Sequence, residues 1–517
     1  QLHDLFDPAL QQQLDRVLAW ADETETGDVS ELPFVPAPLV WGRVSVGSDE
    51  CKGEACPFRE DCFAERARAL AWEADVVVTN YHLLFAHLAV RAATGADSVL
   101  PPFDLLVLDE AHEAAEIARD FFGFSVSEHT LGRLASAAAD YKNRRLADEL
   151  RNEAGDFFER VLAFARTPAG GRRLRTPHFT RATELRRALA TLVALAEGRA
   201  EDEFRPAKER AAARNVARNA ETAAVRISEF LGQTDPEKVY WIEVDQKGRA
   251  RLRARPVDVS RILRAELFER TESVVAVSAT LTTAGTFAFC RRELGVPEDA
   301  SEVVAPTPFD FREQALLIVP EGLPDPRDPG FIAAAGEVFV QVVEHCEGRT
   351  LGLFTSYRNL NAIHQRLDGC RHRVLRQGEL PRTELARLFK QDVGSVLLGT
   401  DSFWTGIDVP GEALTAVVID KLPFPPPDDP VIEAICERDP QAFNNYLVPK
   451  AIIALRQGVG RLIRTRSDIG VVVILDTRIA SKAYGRKFIR SLPPMLSSRH
   501  VENIPRFLSE AADAHAC

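Results

Sequence analysis

The sequence predicts an α/β fold of two parallel-sheet lobes, the first carrying a cysteine-cluster segment and a helical insertion. Three observations predict it. Short apolar runs recur along the chain with helical patterns between them, the mark of strands buried on both faces of parallel sheets. Two of these runs end in chemistry-bearing residues, Asp109-Glu110 and Ser278-Ala279-Thr280, at the carboxyl end where open α/β sheets place their ligand crevice. Between about 125 and 255 the alternation stops and the chain becomes rich in Arg, Ala and Glu with helical periodicity.

At 517 residues the chain is too long for one core and calls for about two to four domains. Its 45% hydrophobic and 27% charged residues are ordinary for a globular protein. No apolar run is long enough for a transmembrane helix and no basic-then-apolar leader opens the chain, so a cytoplasmic protein with no membrane partner is expected. The net charge of −12 argues against a surface coated in positive charge, although nucleic acid needs only a local basic track.

Residues 1–50 open with helical spacing (Leu2, Leu5, Leu10, Leu14, Val17, Leu18) and pass through the Pro-rich Leu32–Pro38. Next comes Cys51-x4-Cys56-x5-Cys62, three of the eight cysteines. The other five are isolated and read as inert thiols. In a cytosolic protein a tight cluster is a metal site more often than a disulfide frame, and spacing does not choose between zinc and iron–sulfur. Ala64–Ala74 reads as a helix, Asp75–Asn80 as a buried strand, and Leu105–Leu108 as a second strand buried on both faces. Asp109 at its tip can hold Mg²⁺ through water, and Glu110 can orient and deprotonate an attacking water. The plain alternative is an acidic helix N-terminus.

The insertion contains a break at Thr167–Gly171 and closes with a β-hairpin, Val239–Val244 and Ala250–Ala254 around Lys247-Gly248. Its arginine run Arg172-Arg173-Leu174-Arg175 reads as a solvated helix face or a phosphate contact. The α/β pattern resumes at Ser273–Val277, and Pro306–Phe311 reads as a linker. Further strands are expected at Ala315–Ile318, Arg349–Phe354, Ser395–Gly399, Thr415–Ile419 and Gly470–Leu475, with a helix over Ala451–Arg464. On that helix Gln457, Gly460, Arg461 and Arg464 share one face, where two arginines can bind phosphate or neutralise transition-state charge.

Taken in order, the three cysteines, Ala-Asp-Val-Val-Val-Thr-Asn-Tyr-His, Asp-Glu-Ala-His, the insertion, Ser-Ala-Thr-Leu-Thr, Phe403-Trp404-Thr405-Gly406-Ile407-Asp408 and Gln-x-x-Gly-Arg-x-x-Arg resemble an iron–sulfur superfamily 2 DNA helicase of the DinG/XPD type, in its bacterial DinG-like branch. The resemblance spans nearly the whole chain. It implies two RecA-like lobes divided as a cluster segment at 1–66, first lobe at 67–125 and 256–310, helical arch at 126–255 and second lobe at 311–517. It implies that Asp109 and Glu110 serve Mg²⁺ and ATP, and that Arg461, Arg464, Gln457 and Gly460 reach the phosphates. His112, Ser278 and Thr280 would couple nucleotide to DNA, Gly406 and Asp408 would face the cleft, and Cys51, Cys56 and Cys62 would hold a [4Fe-4S] cluster. The expected partners are single-stranded and forked DNA, the expected polarity is 5′→3′, the expected role is repair and replication, and the expected state is a monomer.

The sequence departs from that pattern in having no G-x-x-x-x-G-K-[ST] and no fourth cluster cysteine. With Gln1 at its start and Met495 its only methionine, the chain reads as a fragment whose two missing elements lie upstream. Two alternatives stay open: a nucleic-acid-binding relative that no longer hydrolyses ATP, and an RNA helicase with a zinc site.

Overall fold

The computed structural model describes residues 7–46, 51, 56–95, 97–170, 173–245, 247–404 and 411–516. Its strands in chain order are β1 (Leu105–Leu108), β2 (Phe124–Ser127), β3 (Lys238–Val244), β4 (Ala250–Pro256), β5 (Ser273–Ala276), β6 (Ala315–Ile318), β7 (Thr350–Leu353), β8 (Val374–Arg376), β9 (Val396–Gly399), β10 (Ala416–Ile419), β11 (Gly470–Ile474) and β12 (Leu496–Ser498). Two compact units result: Gln1–Asp104 with Glu116–Asp258, and Leu105–Ala115 with Val259–Cys517.

Apolar clusters gather the described residues of the first unit. A small one gathers Leu14, Val17, Leu32 and Val40 from the helices Pro8–Glu23 and Pro38–Val44 and the connector between them. The larger one lies between four helices and the antiparallel sheet β2-β4-β3. Those helices, Glu128–Asp140, Arg144–Ala165, Thr183–Glu201 and Ala207–Gly232, turn a helical-period stripe inward, for example Leu146, Leu150, Phe157 and Val161. The β3–β4 hairpin forms as expected, with Ala250, Leu252 and Ala254 inward and Gly248 at φ +75° in its turn. Of the arginine run, the described residues 173–175 are not helical. Leu174 is buried and its N–H donates to the Tyr240 carbonyl at 2.7 Å, so this segment lies along the sheet.

The second unit is built on a seven-stranded parallel sheet of order β12-β6-β11-β10-β7-β9-β8. All five strands expected there form, and every residue of those five strands is buried. Successive residues face opposite layers. Leu317, Leu353, Ile419 and Ile474 enter one core, while Leu316, Ile318, Val418 and Val473 enter the other. Edge strands β8 and β12 are three residues each and carry too little apolar pattern to be predicted.

Two expectations need correction. Among the described residues β1 pairs in parallel with β5 alone, register Leu108 to Ala276, and it is not buried on both faces: Leu105 is 59% and Val107 56% exposed. Residues 75–80 form no strand, and Val76 and Val78 are 79% and 93% exposed. An apolar run becomes a strand only beside another strand that takes its N–H and C=O groups, and among the described residues 75–80 have none.

Candidate functional site

The parallel pairing of β1 and β5 continues past the strands and sets the geometry of their tips. Val277 N–H donates to the Leu108 carbonyl at 2.9 Å, and Ala111 N–H donates back to the Val277 carbonyl at 3.0 Å. Between these bonds the chain must turn sharply, and Glu110 takes a left-handed conformation (φ 48°, ψ 45°) uncommon for a residue with a side chain. Its own N–H is held by Asp109 Oδ1 at 2.9 Å. The turn projects the Glu110 carboxylate outward and folds His112 inward, where it is buried.

His112 is a hub. Ser278 Oγ donates to Glu110 Oε2 at 2.8 Å, so the 2.9 Å contact between Ser278 Oγ and His112 Nδ1 is assigned as the imidazole N–H donating. Nε2 of the neutral ring is then the acceptor for the Gln457 amide, which touches it. The hydrogen bonds therefore run one way, from Gln457 through His112 and Ser278 to Glu110. Thr280 closes the turn: its N–H donates to Ser278 Oγ at 3.1 Å, and its hydroxyl lies 3.3 Å from His112 Nδ1. Burial lowers the His112 pKa, against the opposing pull of Glu110, Glu113 and Asp109, and so favours the neutral ring that this assignment requires.

Gln457 belongs to the helix Val448–Val459, which stops earlier than the expected Arg464. Gly460 is its C-cap, and Arg461 and Arg464 lie beyond it, so the predicted single helical face is not formed. Gly458 has a specific cause. A Cβ at Gly458 would come within 2.9 Å of the Trp404 ring and 3.0 Å of Leu353, so this position lets the helix close on its neighbours. Beyond the helix Arg461 Nε donates to the Trp404 carbonyl at 3.1 Å. Arg464 is held by its backbone, whose N–H donates to Asp468 Oδ2 at 2.7 Å.

Three residues that sequence reasoning passed over support this region. Arg456 binds the carbonyls of Ala279 and Thr282. Asp468 is buried and organises the turn that carries Arg464. Gln314, also buried, donates to the Asp468 carbonyl at 2.9 Å. None has a sequence signal beyond being polar next to an apolar run.

Gly406 and Asp408 lie outside the described residues. Cys51, Cys56 and Cys62 are partly exposed thiols, Cys62 as the N-cap of the helix Phe63–Glu73. Among the described residues no three His, Cys, Asp or Glu side chains are gathered to hold a metal ion. Mg²⁺ has different needs. It is held by one or two carboxylates together with waters and substrate phosphates, and Asp109 at a strand tip fits that demand.

No described helix is long and apolar enough to cross a membrane. The helicase C-terminal domain family matches residues 339–495. The chain is 31% identical to the ATP-dependent DNA helicase YoaA of Haemophilus influenzae, over 98% of this chain and 80% of the relative. It is 33% identical to the ATP-dependent helicase DinG of Mycobacterium tuberculosis, over 99% of this chain and 78% of the relative. In fold it is similar to a solved XPD helicase, with TM-score 0.56 and 14% identity over 94% of this chain and 83% of that one.

Proposed function

The chain belongs to the DinG and YoaA family of ATP-dependent helicases, and from that premise we propose that it drives 5′→3′ movement on single-stranded DNA and opens forked duplexes. It is an ATP-dependent helicase enzyme acting on nucleic acid, of α/β fold with parallel sheets. The observation that carries the residue assignment is the convergence on His112, where the Asp-Glu-Ala-His turn, the Ser-Ala-Thr turn and Gln457 meet in one chain of hydrogen bonds.

In this reading Asp109 is the carboxylate for water-held Mg²⁺, whose part is to neutralise charge on the phosphates. Glu110 sits one residue further on with its carboxylate outward, where it orients the attacking water and accepts its proton. Ser278 donates to Glu110, which keeps that carboxylate pointed. Arg461 and Arg464, from the turn after the helix, supply positive charge to the phosphates, with Gln457 and Gly460 placing that turn. His112, Ser278 and Thr280 carry the state of the nucleotide site to the helix Val448–Val459. Gly406 and Asp408 are assigned to nucleotide binding by the same reading. Residues 126–255 form an arch over the DNA strand, and Cys51, Cys56 and Cys62 belong to an iron–sulfur segment beside it. The protein works as a cytoplasmic monomer in repair and replication.

The test is Glu110→Gln in the protein as its gene encodes it. ATP turnover on single-stranded DNA should be abolished while DNA binding persists. Retained turnover would remove the role given to Glu110.

A further inference from the structure

Gln457 is not the only residue of its helix that reaches the strand tips. Arg456 Nη1 donates to the Thr282 carbonyl at 2.7 Å and to Thr282 Oγ1 at 3.1 Å, and Nη2 donates to the Ala279 carbonyl at 2.9 Å. Both carbonyls belong to the turn that leaves β5 and carries Ser278 and Thr280. The side chain is half-buried, and a planar guanidinium can span two carbonyls three residues apart, which the single ammonium of lysine cannot match in geometry. The helix behind it is firmly seated, with Gly458 closed against Trp404 and Leu353.

We propose that Arg456 is a positioning residue for ATP hydrolysis: by bridging Ala279 and Thr282 it fixes the turn that sets Ser278 against Glu110 and His112. This rests on the reading of Glu110 as the residue that activates water. Neighbouring residues of one helix then hold the site from two sides. Gln457 takes Nε2 of His112, and Arg456 takes the turn whose Ser278 meets Nδ1. A shift of the helix moves both contacts together, and the Glu110 carboxylate with them. Removal of the guanidinium frees the turn and misdirects Ser278, although Ser278 itself is intact.

The experiment compares Arg456→Ala, Arg456→Lys, Ser278→Ala and the Arg456→Ala/Ser278→Ala double variant, with Glu110→Gln as control, in the protein as its gene encodes it. Arg456→Ala should lower kcat for DNA-dependent ATP turnover about 10- to 100-fold with KM for ATP within about twofold, as expected for misplaced rather than missing chemistry. Lysine should restore only a small part. The double variant should be no slower than the slower single variant, because both act through one turn. Multiplicative losses, full rescue by lysine, or an unchanged kcat beside a dead Glu110→Gln would overturn the proposal. Should Arg456→Ala not fold, Arg456→Lys alone and with Ser278→Ala makes the same comparison. If Glu110→Gln itself retains turnover, the underlying reading of the site falls, a result distinct from failure at Arg456 alone.

Discussion

Replacing Asp468 with alanine tests how Arg464 is presented once its helix has ended. The buried carboxylate accepts from Arg464 N–H and Thr465 N–H, each at 2.7 Å, and from Thr465 Oγ1 at 2.8 Å. From beneath, Gln314 Nε2 donates to the carbonyls of Asp468 (2.9 Å), Thr465 and Arg466 (both 3.1 Å), so one turn is clamped by two side chains. A hydrogen bond to a charged acceptor contributes about 1.5–3 kcal/mol, less where the freed donor can reach water. Arg464 and Thr465 are exposed and their donors can rehydrate, so the expected loss for Asp468→Ala is about 2–4 kcal/mol rather than three full bonds. It should read as a lower urea midpoint at unchanged slope. Asp468→Asn, which keeps one acceptor oxygen, should fall between. Gln314→Ala combined with Asp468→Ala should cost less than the two losses added, since both hold the same turn. An Asp468→Ala variant within about 0.5 kcal/mol of the parent would refute the clamp.

Three further outcomes are expected. Because burial holds the His112 pKa below its unfolded value of about 6.5, the unfolded chain binds the extra proton first. The contribution of neutral His112 to stability is therefore complete above about pH 6.5 and is lost as pH falls from there through its lower folded-state value; turnover should fall on that more acid limb, and turnover that instead rises as pH is lowered through about 6.5 would count against the assigned hydrogen-bond direction. Anaerobically purified protein should contain iron and show a broad absorbance at roughly 400 nm that Cys62→Ser diminishes. One zinc in colourless protein would turn the cysteine segment into a zinc site, and metal-free protein would refute both. Glu110→Gly should raise the urea midpoint while abolishing turnover, because glycine takes the left-handed backbone at this position without steric cost, and an unchanged or lower midpoint would contradict it.

The second unit was the legible part of the chain because parallel strands buried on both faces read as unbroken apolar runs. β6, β7, β9, β10 and β11 all stand out in this way. The same signal misled at Val76–Val78, where the run is as apolar but no neighbouring strand pairs with it among the described residues. Helical spacing placed Gln457 correctly on a helix and failed by Arg461, four residues later, because periodicity does not say where a helix stops. The candidate site divides likewise. Glu110, His112 and Gln457 were each recognisable from their local motifs, and Ser278 and Thr280 only weakly from a bare tripeptide. That Arg456 grips the tripeptide's turn, or that Gln314 supports Arg464 from 150 residues away, depends on which tips the sheets bring together.

Glu110 stands in a backbone conformation where L-residues crowd their own Cβ and glycine does not. The left-handed turn between the two β1–β5 hydrogen bonds therefore sets the protein's stability against its chemistry at a single position. A residue without a side chain would relieve about 1–2 kcal/mol of steric opposition there and would delete the carboxylate. Screens that rank variants by thermal resistance should thus enrich inactive protein at position 110, and a gain in robustness at this residue is a warning that the motor has stopped.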